Sequence, residues 1–67
     1  MKVILISVIF EHMIHRFLKD RGGTASRDEI YKALGDDEGR RRNIDEKLRM
    51  MERFGFVIID GEEVKLK

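Results

Sequence analysis

The last twelve residues, FVIIDGEEVKLK (56–67), constrain the fold of this chain more than any other stretch. An apolar segment, FVII, and an alternating one, EVKLK, flank the Asp60-Gly61 stretch. That dipeptide is a strong type I′ turn signal, because such a turn demands positive φ, which glycine accepts freely. A hairpin is therefore predicted over 56–66. With Asp60 and Gly61 as the two turn residues, Val57 faces Val64. Val57, Ile59, Val64 and Leu66 then share the face toward the core, and Phe56, Ile58, Glu63 and Lys65 take the other. The residues upstream must supply that core.

Three helical segments are predicted to do so. In the first, over 3–20, Ile6, Phe10, Met13 and Phe17, with Ile14 and Leu18, recur at helical spacing, and Gly22-Gly23 stop it. Its opening third is apolar on nearly every side. Residues 2–9 read as helix on their period and as strand on their content of Val and Ile, and both readings stay open. The second helix, 26–34, starts at Ser26 with Glu29 three residues on, the spacing of a capping box. Ile30, Ala33 and Leu34 are its expected buried stripe, Gly35 its stop, and Thr24-Ala25 a short extended lead-in. The third helix, 38–54, places Ile44, Leu48, Met51 and Phe54 on one face and ends at Gly55. Met50, Met51 and the phenylalanines Phe10, Phe17, Phe54 and Phe56 are expected in the core. The fold class is α+β, mainly helical, in a single domain over 1–67.

At 67 residues the core is small, and the chain is marginal without a staple. It has no cysteine, which excludes disulfides and thiolate metal sites. Good packing or self-association remains. The excess of apolar surface around Leu5, Val8 and Ile9 marks these residues as a contact with another chain, and a homodimer is the expected assembly. The same run is too short to span a bilayer and lacks the small-residue cleavage site of a signal peptide. The expectation is a cytoplasmic protein with no membrane partner. Richness in Arg, Lys and Glu without cysteine is a thermophile-like trait. A net charge of +1 announces no polyanion partner, so the distribution of charge must decide.

Helix, short extended segment, helix, tight turn, helix and hairpin is the order of a winged helix-turn-helix domain. The chain resembles that DNA-binding superfamily in GGTASRDEIYKALG (22–35), in GRRRNIDEKLRMMERFGFVIID (39–60) and in GEEVKLK (61–67). The passage LRMMERFGFV (48–57) looks like the usual exit from a recognition helix into the wing. The resemblance implies that the third helix enters the major groove with its N-terminal residues. Successive helical residues point about 100° apart, so Arg40, Arg41 and Arg42 fan out. Arginine clamps guanine or phosphate and asparagine suits adenine. The expected DNA contacts are Arg40, Arg41, Arg42, Asn43, Lys47 and Arg49. Such a protein would be a transcriptional regulator or chromosomal protein associated with the nucleoid.

Two features oppose that reading. Asp45 and Glu46 sit on the presumed contact face, and the hairpin tip, Asp60 to Glu63, is acidic where a gripping wing carries Lys or Arg. A solvated face with local pairs such as Asp45–Arg49 and Glu46–Arg49 is the plainer alternative. A winged-helix protein-interaction module within a larger complex is the alternative function. Catalytic signals are absent. Glu11, His12 and His15 lack further ligands for a metal, Ser7 and Ser26 lack a base, and the glycines fit no P-loop. No enzyme, cofactor, metal or small-molecule ligand is expected. Tyr31 is the one aromatic that could stand beside a ligand, with helix packing the simpler role.

Overall fold

The computed structural model describes residues 11–67. The opening segment lies outside the described residues, and with it the helix-or-strand question at 2–9 and the contact residues Leu5, Val8 and Ile9. The described chain is α+β and mainly helical: α1 (Glu11–Asp20), β1 (Thr24–Ser26), α2 (Arg27–Leu34), α3 (Glu38–Arg53), β2 (Val57–Asp60) and β3 (Glu63–Leu66). The three strands form one antiparallel sheet in the order β1-β3-β2.

Local chemistry sets each boundary. Ser26 Oγ accepts from the Glu29 N–H at 3.1 Å, and the Glu29 carboxylate accepts from the Ser26 N–H at 2.9 Å. This capping box satisfies two orphan donors at the start of α2. The bond from Ser26, together with the Arg21 guanidinium 2.5 Å away, holds the Glu29 carboxyl below the usual carboxylate range. Asp37 caps α3 by accepting from the Arg40 N–H at 3.2 Å. At the other end Gly55 takes φ +83°, and the Phe56 N–H donates to the Met51 carbonyl at 2.8 Å. That six-to-one bond, with Gly55 N–H to Glu52 O, is a Schellman close, and it brings Phe56 beside Met51.

The core is a single cluster to which every element contributes: Ile14 and Leu18, Ala25, Ile30, Ile44, Leu48 and Met51, Val57, and Val64. Met13, Phe17, Tyr31, Leu34, Ile59 and Leu66 pack around it half-buried. Among the described residues no polar side chain is buried.

Several expectations are corrected. The hairpin turn is Gly61-Glu62, since Asp60 pairs with Glu63, Ile59 with Val64 and Val57 with Leu66. Gly61 has φ +63° and Glu62 does not have positive φ, the pattern of a type II′ turn with glycine at its first central position. The register moves by two residues across the pair, so face parity is preserved: Val57 and Val64 are buried, with Ile59 and Leu66 half-buried beside them. Ala33 is exposed, because Ile30, Tyr31 and Leu34 form the inner side of the short α2. Phe54 is 65% exposed rather than core. Ten residues beyond Ile44 an ideal helix has drifted about 80° off the stripe, and α3 has already ended. Phe56 (56%) and Met50 (41%) are likewise exposed rather than core, whereas Ile58 (47%) is exposed on the outer face of β2, as expected.

Candidate nucleic-acid interface

The acids Asp36, Asp37 and Glu38 pair one for one with the arginines. Arg41 places Nη2 2.6 Å and Nε 2.9 Å from Asp36 Oδ1. Arg40 Nε lies 3.4 Å from Asp37, and Arg42 Nη2 lies 3.7 Å from Glu38. The expected pairs of Asp45 and Glu46 with Arg49 do not form; among the described residues no ion pair to Arg49 is present. The hydrogen bond and charge of Asp36 hold the Arg41 pKa above the ordinary guanidinium value.

Arg41 also lies over the Tyr31 ring, 5.0 Å from its centroid, so its plane is held from two sides. Tyr31 in turn donates its hydroxyl to Asp45 Oδ1 at 2.5 Å, and Arg27 Nη1 reaches the same oxygen at 3.2 Å. Asp45 is thus turned toward α2, with its charge answered by Arg27. Burial, and then the Asp45 bond, push the Tyr31 pKa up. Sequence reasoning misses Arg27 as a site residue, since its partner lies 18 positions away. The Arg27 N–H further donates to Glu62 O at 2.8 Å, tying α2 to the hairpin tip.

Gly35 has a role beyond ending α2. Its backbone is extended, but a Cβ there would fall 2.6 Å from the Arg40 Cβ and 2.5 Å from its Cδ. The absence of a side chain lets the Arg40 stem lie against the turn. Along α3, Arg42, Glu46, Arg49 and Arg53 are exposed. Asn43 is half-buried, and Lys47 leans toward α1 with Nζ 3.7 Å from Glu11. The expected contacts therefore divide: Arg42 and Arg49 face water, Arg40 and Arg41 are held at the turn, and Asn43 and Lys47 sit on the flanks. A surface depression of about 370 Å³ opens between Asp36, Glu38, Arg41, Arg42 and Asp45.

Elsewhere the chemistry is sparse. Among the described residues no group of three candidate ligands is placed to hold a metal ion. His12 and His15 are exposed beside an apolar cleft of about 260 Å³ shared with Glu11, Met51 and Phe56. At the hairpin, Glu63 accepts from Thr24 Oγ1 at 3.4 Å and lies 3.9 Å from Lys65, so the one lysine near the tip is already answered. No helix among the described residues is long and apolar enough to cross a membrane. Comparison with protein-family models, curated proteins and solved structures gives no significant match.

Proposed function

We propose that the chain is a winged helix-turn-helix domain that grips duplex DNA with α3, acting as a transcriptional regulator or chromosomal protein. On this reading the hairpin is the wing, and β1 anchors it to the helices. The observation that carries the proposal is the charge layout of α3. Arg42 and Arg49 stand on its exposed face, while Arg40 and Arg41 are pre-positioned by pairs that are themselves solvent-exposed. Exposed pairs contribute about 0–1 kcal/mol, so phosphate can replace a carboxylate partner at little cost. The pairing of Asp45 with Arg27 and Tyr31 offsets the charge of one of the two acids expected to repel DNA, leaving Glu46 on α3's exposed face. Asn43 and Lys47 serve at the edges of the contact. The proposed assembly is a homodimer through Leu5, Val8 and Ile9, which sets two copies of α3 about one helical turn of DNA apart, near 34 Å. Such a protein would be cytoplasmic and nucleoid-associated.

A second reading has its own support. The one-for-one pairing of acids with arginines and the acidic tip at Asp60, Glu62 and Glu63 suit a module that docks on protein. An NMR titration with short random duplex DNA separates the two. The DNA reading expects amide shifts clustered at residues 40–49. No shifts at physiological salt would favour the docking module.

A further inference from the structure

The large exposed apolar residues of the described chain fall between Met50 and Ile58, at the end of α3 and the start of the hairpin. Met50 and Phe54 stand one turn apart, Phe56 follows the Gly55 close, and Ile58 lies two residues on, on the outer face of β2. Phe56 is also a wall of the cleft that includes Met51, Glu11, His12 and His15. Aromatic and Met side chains of this kind are enriched in the centres of protein interfaces and depleted on free surfaces. β2 is one of the two edge strands of the sheet, and its sequence VIID has neither the Lys nor the Pro that blunts exposed edges.

We propose that this ridge and its cleft seat the apolar N-terminal segment, VILISVIF (3–10), of a second copy of the chain. The inference rests on the homodimer reading above and names the surface that receives Leu5, Val8 and Ile9. The segment matches the ridge in chemistry, being apolar throughout except at Ser7. It joins the described chain at Glu11, itself a wall of the cleft. To fill the cleft of its own copy it would have to reverse direction at that junction. Around that junction, residues 8–12 contain no Gly, Pro, Asn, Asp or Ser, the residues that make tight reversals. The second copy therefore supplies the segment. The exchange is reciprocal, each copy giving one segment and receiving one, as a two-fold dimer requires.

The chain has no cysteine, which makes the test clean. Ile9→Cys and Phe56→Cys are made as separate proteins, mixed and oxidised. The proposal expects a mixed disulfide dimer well above the yield of either protein alone. In parallel, light scattering is run on the wild-type chain and on Phe54→Glu/Phe56→Glu. Both phenylalanines are exposed, so the double variant keeps the wild-type circular dichroism. Its dimer dissociation constant rises about 30-fold or more for each aromatic ring removed, on interface hot-spot magnitudes. A wild-type monomer at high concentration, a dimer that persists in the double variant, or a disulfide that closes within one chain carrying both cysteines would each overturn the proposal. Duplex binding is measured on the same samples. A dimer that cross-links as expected but ignores DNA upholds this inference and removes the DNA reading, and a monomer that binds DNA does the reverse.

Discussion

The two ends of α3 meet water with opposite chemistry. At the N-terminal end every arginine of the run has an acid beside it, and Asp45, Tyr31 and Arg27 satisfy one another. At the C-terminal end Met50, Phe54 and Phe56 are left to solvent. Charged groups can be answered by neighbours along one turn, and the answer is exchangeable, because exposed pairs are weak. Apolar groups have no such local remedy and are satisfied only by area removed from water. The first end is complete yet open to replacement by a polyanion. The second, on the proposal above, is completed by another copy.

Breaking that contrast has its largest effect in the middle of the helix. Leu48 is fully buried and Phe54 is not. Leu48→Ala is expected to cost about 2–5 kcal/mol in denaturant unfolding. Phe54→Ala should cost less than about 0.5 kcal/mol at concentrations where the chain is monomeric. Equal losses would mean that Phe54 is covered within one copy. Next comes Gly35→Ala, which drives a methyl into the Arg40 stem and is expected to destabilise by about 1–3 kcal/mol. A neutral result would show that the turn relaxes freely and that Arg40 is not held.

A smaller effect is expected at the Tyr31–Asp45 bond, with a signature in pH. Tyr31 is the only tyrosine, so its phenolate absorbance reports one group. Its folded pKa lies above the ordinary value near 10. The group therefore adds stability that is fully present below about pH 10 and is lost as pH rises through the folded pKa. Asp45→Asn should bring the titration back toward the ordinary value, though not fully, because burial is the larger cause. An unchanged titration would mean that the bond is not formed. The smallest effect is at the exchangeable pairs. Glu38→Gln should change stability by less than about 1 kcal/mol, and it should strengthen duplex binding by freeing Arg42 and removing a like charge. Weaker binding would indicate that Glu38 helps to aim Arg42.

The legible parts of this chain are those governed by local chemistry. The capping box at Ser26 and Glu29 is a contact between residues three apart, and the Gly55 close is likewise confined to a few neighbours. Face parity in the hairpin is robust to the choice of turn, because a shift of two leaves the alternation intact. The turn itself is ambiguous in sequence because Asp60-Gly61 and Gly61-Glu62 both contain the glycine, and only pairing with β3 decides between them. Phe54 departs from expectation because its apolar stripe runs past the end of the helix. The α2–α3 corner is beyond reach, since the Arg27–Asp45 and Tyr31–Asp45 partners lie 18 and 14 residues apart. The pairing of 36–38 with 40–42 is within reach: three acids and three arginines stand around one glycine at spacings of three to five.

The central claim is that the arginines of α3 face a polyanion. It is tested most directly by the salt dependence of duplex DNA binding for the wild-type chain and for Arg42→Ala and Arg49→Ala. The account predicts affinity that falls steeply on a log–log plot, with a slope shallower by about 0.9 for each arginine–phosphate pair removed. Binding that is absent at low salt, or a slope that neither substitution changes, would contradict it.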